Sequence, residues 1–446
     1  MNSNKKYTAA IATLGCKVNQ YESEAICEEL ERNGIEIKSA SDICDAYVIN
    51  TCTVTAESDR KGRQLIRRLI AKNPRAVIVV TGCMAQSAPD EVAKIEGVDV
   101  IIGNCNKLEA ARAVIETLEK GLKNETPQIY TSELENAEFE KMRITKFERT
   151  RAYVKIEDGC ENRCSYCIIP SARGKVRSKD PSELLLEVEA LVRGGCREVV
   201  LTGIETASYG RDLGNIDLAS ILCKVDKIDG IGRVRLGSLD PSLIKRPFVE
   251  KIAPLSSLAP HFHLSLQSGS DRVLALMRRK YNSKMALDAI NLLKEKMPGV
   301  KFTTDVIVGF PGETEEDFEA TLDFVKQARF LMVHIFPYSK RKGTPAAEMD
   351  GQISKEEKSR RLKILSEECN KIRAEILQSE VDEVKNSSEP LYRTVLFESF
   401  EDGYAIGHTE DFLEVWAKSE YALHAEFKKV LFSDTDGNKI FAKICE

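Results

Sequence analysis

The sequence predicts an α/β chain in three parts: an N-terminal doubly wound parallel sheet, a central partial (β/α) barrel, and a small C-terminal β-barrel. Three observations carry this. The N-terminal third repeats a unit of apolar strand, polar turn and amphipathic helix. The middle alternates strand and helix, with glycines and polar side chains gathered just past the strands. The tail breaks into five short alternating segments. At 446 residues the chain exceeds what one core serves, and the expected domains are residues 1–135, 146–380 and 384–446.

In the first part, residues 9–14 run into Gly15 and Cys16, residues 46–51 into Cys52, and residues 77–82 into Cys83. The carboxyl ends of parallel strands open on one edge, where ligands bind, so these three thiols are expected to converge. Any one of them alone reads as a small buried hydrophobe. Their recurrence at equivalent positions, with Gly15 and Gly82 letting the backbone pass close to a bulky group, turns the reading towards ligation. Cys105 follows a fourth apolar run, residues 98–102, and is either a fourth ligand or a bystander. Cys27, Cys44, Cys196, Cys223, Cys369 and Cys445 read as packing residues.

In the second part, strands are expected at residues 152–157, 197–201, 233–236, 261–266 and 303–308. They end at Gly203 and Glu205, at Ser238 and Asp240, at Gln267, and at Gly309. Barrel enzymes place their chemistry on this face, although each glycine is equally an ordinary turn. Thr314 before Glu315, Glu316 and Asp317 reads as a helix N-cap with an acidic first turn. After the first strand comes Cys160-Glu161-Asn162-Arg163-Cys164-Ser165-Tyr166-Cys167. Three thiols in one short loop hold three corners of a cuboidal iron-sulfur cluster and leave one iron open beside Tyr166. An open iron suits gripping a small molecule and passing it an electron. Zinc is the alternative, but it asks for a second two-thiol knuckle or a nearby His, and the sequence offers neither.

In the third part, a charged helix over 354–379 carries Leu362, Leu365, Ile372 and Ile376 at helical spacing. A polar joint at 385–390 precedes strands at 392–398, 404–408, 413–417, 427–433 and 440–444, an architecture often used for oligonucleotides. From residue 384 onward, seven basic residues face twelve acidic ones, so the tail's charge does not by itself support phosphate binding. Basic runs lie elsewhere: Arg60, Lys61, Arg63, Arg67 and Arg68 after Cys52; Arg278, Arg279 and Lys280 after Gln267; Lys340, Arg341 and Lys342. They read as phosphate contacts or as solvated faces. Thirteen scattered cysteines, a polar start at residues 1–6 and no apolar stretch near ~20 residues point to a reducing cytoplasm and no membrane span.

The Cys160 loop resembles the signature of radical S-adenosylmethionine (radical SAM) enzymes. The whole chain resembles their methylthiotransferase family, through Gly15-Cys16-Lys17-Val18-Asn19-Gln20, Asn50-Thr51-Cys52-Thr53-Val54-Thr55, Thr81-Gly82-Cys83, the run from Asp158 to Gly174, and Leu264-Ser265-Leu266-Gln267-Ser268-Gly269. Phe336-Pro337-Tyr338-Ser339 and Gly343-Thr344-Pro345-Ala346 belong to the same match. Residues after the first two cysteines resemble the branch acting on N6-threonylcarbamoyladenosine at position 37 of tRNA. The branches acting on isopentenyladenosine or on a ribosomal-protein side chain are the alternatives. The resemblance implies two [4Fe-4S] clusters, one on Cys160, Cys164 and Cys167 that cleaves S-adenosylmethionine, and one on Cys16, Cys52 and Cys83 that delivers the methylthio unit. It implies S-adenosylmethionine contacts at Tyr166, Gly203, Glu205, Ser238, Asp240, Gln267 and Gly309, with the two acids also readable as solvated loop groups. It further implies a TRAM-like tail, a tRNA partner, a small electron donor such as flavodoxin or ferredoxin, and a monomer. The competing class is a non-catalytic iron-sulfur protein that binds RNA or senses redox state.

Overall fold

A computed structural model describes residues 6–121, 123, 126–147 and 150–445. The polar start at residues 1–5, Arg149 and Glu446 lie outside the described residues. The first sheet contains β1 (Thr8–Thr13), β2 (Glu36–Ile37), β3 (Ala46–Thr51), β4 (Val77–Gly82), β5 (Val100–Ile102) and β6 (Gln128–Tyr130), all parallel, in the order β2-β1-β3-β4-β5-β6. β3 and β4 are buried at every position because helices cover both faces. Alternate residues feed two separate cores: Tyr47, Ile49, Ile78 and Val80 enter one, and Ala46, Val48, Val77 and Val79 the other. Helices α1 (Lys17–Arg32), α2 (Ala56–Lys72) and α3 (Cys83–Ser87) follow β1, β3 and β4. The edge strands β2 and β6 were not expected from sequence. They are two and three residues long and lack a buried run.

The second part is an arc of six parallel strands. β7 (Arg151–Lys155), β10 (Glu198–Thr202) and β11 (Arg233–Leu236) form one sheet, and β12 (His261–Gln267), β13 (Lys301–Val308) and β14 (Met332–Pro337) the other. Between β7 and β10, the two-residue strands β8 (Glu157–Asp158) and β9 (Arg177–Ser178) pair antiparallel. A parallel bridge from Leu239 to Leu264 joins the two sheets into an open barrel. Ala152, Val154, Phe262, Leu264 and Leu266 point outward into the core shared with the surrounding helices. The intervening residues, among them Arg151, Arg235, His261, His263, Asp305 and His334, line the hollow side. β14 was not foreseen, because its side chains are mostly half-buried or exposed and leave no apolar run.

The helix Lys355–Asn386 is longer than expected and absorbs Lys385 and Asn386 of the expected joint, because Val381 and Val384 extend its buried stripe. The last five strands, β15 (Arg393–Glu401), β16 (Tyr404–Thr409), β17 (Glu414–Lys418), β18 (Glu426–Thr435) and β19 (Ile440–Cys445), form a closed barrel. It seats against the amino-terminal end of the arc. Phe412 stacks on His261 at 4.5 Å and lies 4.9 Å beneath the Arg235 guanidinium, while Arg151 pairs with Glu398.

Glu198 anchors this floor, within 2.7 Å of Arg151, 2.9 Å of Arg235 and 3.1 Å of Arg233. Burial alone would raise its carboxyl, but Arg235, Arg151 and Arg233 outweigh burial and hold it at about 2, against an ordinary 4.5. A depressed native pKa contributes stability that is complete above 4.5 and is lost as pH falls towards 2. Glu198→Gln is therefore expected to flatten the acid limb of stability between those values, a difference on the order of 3 kcal/mol. Urea unfolding at stepped pH reads it.

Candidate active site

Cys16, Cys52 and Cys83 stand at the carboxyl ends of the adjacent strands β1, β3 and β4. Cys16 caps α1 and Cys83 opens α3. Asn19, one turn into α1, draws the loops together by donating to Leu14 O at 2.7 Å and Thr51 O at 3.0 Å. Gly82 has φ +100° and ψ −169°, a region open essentially to glycine alone, and a Cβ there would meet Thr51 O at 2.3 Å. A Cβ on Gly15 would lie 3.1 Å from Cys52 Sγ. Cys83 acts on Cys16, and both Cys83 and Cys16 act on Cys52, so the three share one electrostatic site. Burial, then Cys83, pushes the Cys52 thiol up to about 11. The opposing charge is Arg173, fully buried, whose Nε donates to Cys83 Sγ at 3.4 Å.

Cys105 stands apart from this set. Its charged neighbours are Arg177, Asp158 and Glu140, and it lines a separate cavity of about 560 Å³ with Glu109, Arg112 and Tyr130.

The second set sits at the carboxyl edge of the arc. Cys164 is buried, and Cys160 and Cys167 are half-buried. Burial and then Glu205 push Cys160 up to about 12, and burial brings Cys167 to about 11. Asn162 in this loop donates to Glu205 at 2.7 Å. Burial, with Asp240 adding to it, raises the Glu205 carboxyl to about 7. Arg279 donates to Cys164 Sγ at 3.2 Å, to Asp240 Oδ2 at 2.8 Å and to Ser265 O at 2.9 Å. Both three-thiol sets therefore have a walled-in guanidinium on one sulfur.

Around them, Ser238 is exposed at the end of β11, Gln267 holds φ +72° at the end of β12, and Tyr166 meets Phe310 edge-on at 6.5 Å. Gly203 packs against Glu157, whose Oε2 would lie 2.6 Å from an added Cβ. Asp240 is more committed than its sequence position implies, since Oδ1 caps the turn through Ser242 while Oδ2 holds Arg279. Gly309 forms a turn, its N–H donating to Glu313 at 2.5 Å and its Cα face pressed on Lys358.

Sequence reading missed what joins the two sets. Glu22 of α1, fully buried, meets Arg173 at 2.5 Å, Lys155 at 2.8 Å and Lys107 at 3.2 Å, and Asp158 meets Lys155 at 2.7 Å. Burial alone would raise Glu22, but Arg173, Lys107 and Lys155 outweigh it and hold the carboxyl well below its usual range. Glu157 was missed too. Its Oε1 is buried with no hydrogen-bond partner among the described residues, and desolvation keeps its carboxyl well above the ordinary range.

The basic runs divide. Arg279 and Arg341 leave the exposed set, since Arg279 is held by Cys164 and Asp240, and Arg341 by Asp59 at 2.6 Å and Thr53 at 2.6 Å. Arg63 is half-buried, while Arg60, Lys61, Arg67, Arg68, Arg278, Lys280, Lys340 and Lys342 are exposed, with Arg60 paired to Glu57. The Arg341 clasp, with Ala56 N–H donating to Ser339 at 3.0 Å, brings the α2 and Lys340 runs onto one surface.

An open parallel arc with a three-thiol loop at its carboxyl edge defines a radical SAM enzyme. Residues 154–325 match the Radical SAM superfamily, and residues 8–103 match the family described as Uncharacterized protein family UPF0004. A methyltransferase of this type, TsrM from Kitasatospora setae, superposes with a TM-score of 0.55 at 16% identity, covering 77% of each chain. Its likeness concerns the fold. The threonylcarbamoyladenosine tRNA methylthiotransferase MtaB of Bacillus subtilis is 40% identical, covering 95% of this chain and 93% of its own. The Aquifex aeolicus MtaB is 39% identical, covering 87% and 93%. The tRNA-2-methylthio-N(6)-dimethylallyladenosine synthase of Alkaliphilus oremlandii is 36% identical, covering 85% and 81%. The chain belongs to the radical SAM tRNA methylthiotransferase family, and it is an enzyme that uses S-adenosylmethionine and iron-sulfur clusters. Among the described residues, no helix is long and apolar enough to cross a membrane.

Gly82→Ala is expected to cost at least ~1–2 kcal/mol, since alanine there is strained and its Cβ collides with Thr51. Thermal unfolding together with iron content per chain reads both the strain and any loss at the thiol set beside it.

Proposed function

We propose that the enzyme converts N6-threonylcarbamoyladenosine at position 37 of tRNA to its 2-methylthio derivative. The observation that carries the methylthio transfer is the pair of three-thiol sets, each one ligand short of a closed four-cysteine shell and each backed by a buried arginine, and the likeness to the Bacillus subtilis MtaB supports the threonylcarbamoyl substrate. The donors fit: all six are thiols, without the His or fourth Cys of a structural zinc site. When bound, the clusters and S-adenosylmethionine supply the radical and the methylthio group.

The protein's own share is positioning. Cys160, Cys164 and Cys167 hold one cluster, and Cys16, Cys52 and Cys83 the other. Arg279 fixes Cys164 and Asp240 in one arrangement, so the ribose side and the cluster side of the nucleotide pocket move together. Glu205, poised near 7 and steered by Asn162, faces the loop where the ammonium of S-adenosylmethionine is expected. Tyr166, Gly203, Ser238, Gln267 and Gly309 complete that pocket.

The exposed basic residues of α2 and of the loops at Arg278 and Lys340 take the phosphates of the anticodon arm, where bases are already unstacked. The closed C-terminal barrel is a TRAM-like RNA contact, and the chain works in the cytoplasm as a monomer supplied by a flavodoxin or ferredoxin. The dimethylallyl relatives keep modification of that related adenosine as the second reading.

Nucleosides from tRNA of a strain lacking the gene are expected to lose the 2-methylthio-threonylcarbamoyl species by mass spectrometry. Wild type should restore it, whereas Cys16→Ala and Cys160→Ala should not. With purified protein, Cys16→Ala is expected to keep forming 5′-deoxyadenosine and Cys160→Ala to lose it. Loss of a dimethylallyl species instead would reverse the substrate assignment.

A further inference from the structure

Lys17 opens α1 directly after Cys16, and α1 packs against β7 of the arc. The side chain is exposed, yet Arg235, Arg151 and Asp305 lie within its electrostatic reach, as do His261 and His334. Among the described residues, neither a hydrogen bond nor an ion pair engages its ammonium. The neighbouring lysines are treated differently: Lys107 and Lys155 are paired with Glu22, and Lys179 with Glu187. Arg151 and Arg235 are committed to Glu198 and add to the positive potential around Lys17. On the opposite wall, His263, Asp305 and His334 bring their donor atoms within 4.8 Å of one another. His263 is oriented by Thr303 at 2.9 Å and lies 3.2 Å from Asp305.

The chemistry of the substrate makes such a cation useful. In adenine, C2 and C6 flank N1, so the substituent on N6 leaves the ring beside the edge that receives the methylthio group. With C2 turned to Cys16, Cys52 and Cys83, that substituent would leave the ring on the side of the thiol set, where residue 17 directly follows Cys16. A threonylcarbamoyl group ends in a carboxylate and carries a hydroxyl, whereas a dimethylallyl group carries neither. We propose that Lys17 is the specificity-determining residue of this enzyme: its ammonium pairs with the carboxylate of the threonylcarbamoyl substituent, and Asp305 across the hollow accepts from the hydroxyl. An uncharged substituent covering Lys17 would strip water from an unpaired cation, and such mismatches discriminate far more strongly than a missing methylene. The inference rests on the substrate reading above.

The test is equilibrium binding to the full chain carrying both clusters and S-adenosylmethionine. The ligands are three labelled anticodon stem-loops, bearing threonylcarbamoyladenosine, its carboxamide, or dimethylallyladenosine. Wild type is expected to bind the acid roughly tenfold or more tightly than the amide, as a charge-assisted pair in a partly desolvated site would give. Lys17→Met and Lys17→Gln are expected to bring that ratio close to one, and Lys17→Arg to keep most of it. A general loss of folding or of cluster scales all three affinities and leaves the ratio untouched. An acid-to-amide ratio near one in wild type, or one retained in both Lys17→Met and Lys17→Gln, overturns the role of Lys17 while a preference for threonylcarbamoyl over dimethylallyl RNA keeps the substrate reading. A wild-type preference for the dimethylallyl stem-loop overturns the reading itself.

Discussion

Everything in this molecule hangs on a charge cluster buried where its first two parts meet. Glu22 from the first helix, Lys107 from the first part, and Lys155, Asp158 and Arg173 from the barrel side form a knot at the joint, with almost no solvent. Removing one member of such a set leaves an uncompensated charge in a low-dielectric interior, typically costing 3–5 kcal/mol. The gain is in geometry more than in net stability. Arg173 reaches Glu22, Asn19, Asp158 and Cys83 with one planar group, so the thiol edge and the loop carrying the second thiol set are registered to each other by fixed hydrogen-bond angles. A hydrophobic joint would hold the two parts together but would leave them freer to slide.

The two thiol sets show the same solution built twice from unrelated backbone. In the sheet, the cysteines come from three strands and the guanidinium from Arg173, which is distant in sequence. In the arc they come from one short loop, and the guanidinium from Arg279 lies beyond β12. In each set a positive charge stands against one sulfur, while burial raises the thiols of Cys16, Cys52, Cys160 and Cys167.

Most of the architecture was legible in the sequence because its strands are strongly patterned: β3 and β4 fall on their expected bounds, and the five strands of the tail begin within about two residues of expectation. What escaped was weakly apolar or relational. β14 has no apolar run, β2 and β6 are too short to show a period, and the arginine partners Arg279 and Arg341 look like members of exposed basic runs until the fold turns them inward. Composition does not distinguish an arginine that meets solvent from one that meets a sulfur. Lys17 illustrates the converse, since its proposed importance comes from lacking a partner among the described residues, which only a three-dimensional neighbourhood reveals.

The seating of the last barrel under the arc has a topological consequence. Phe412 lies against His261 and Arg235 and closes the amino-terminal end of the hollow, so the chamber is a one-mouthed vessel. On the proposed reading, a nucleobase would enter from the thiol side and leave by the same route. The selection this imposes is steric before it is chemical: a base stacked within a continuous duplex has no way to present its edge to the bottom of a cup, whereas a base at the crown of a tight loop does.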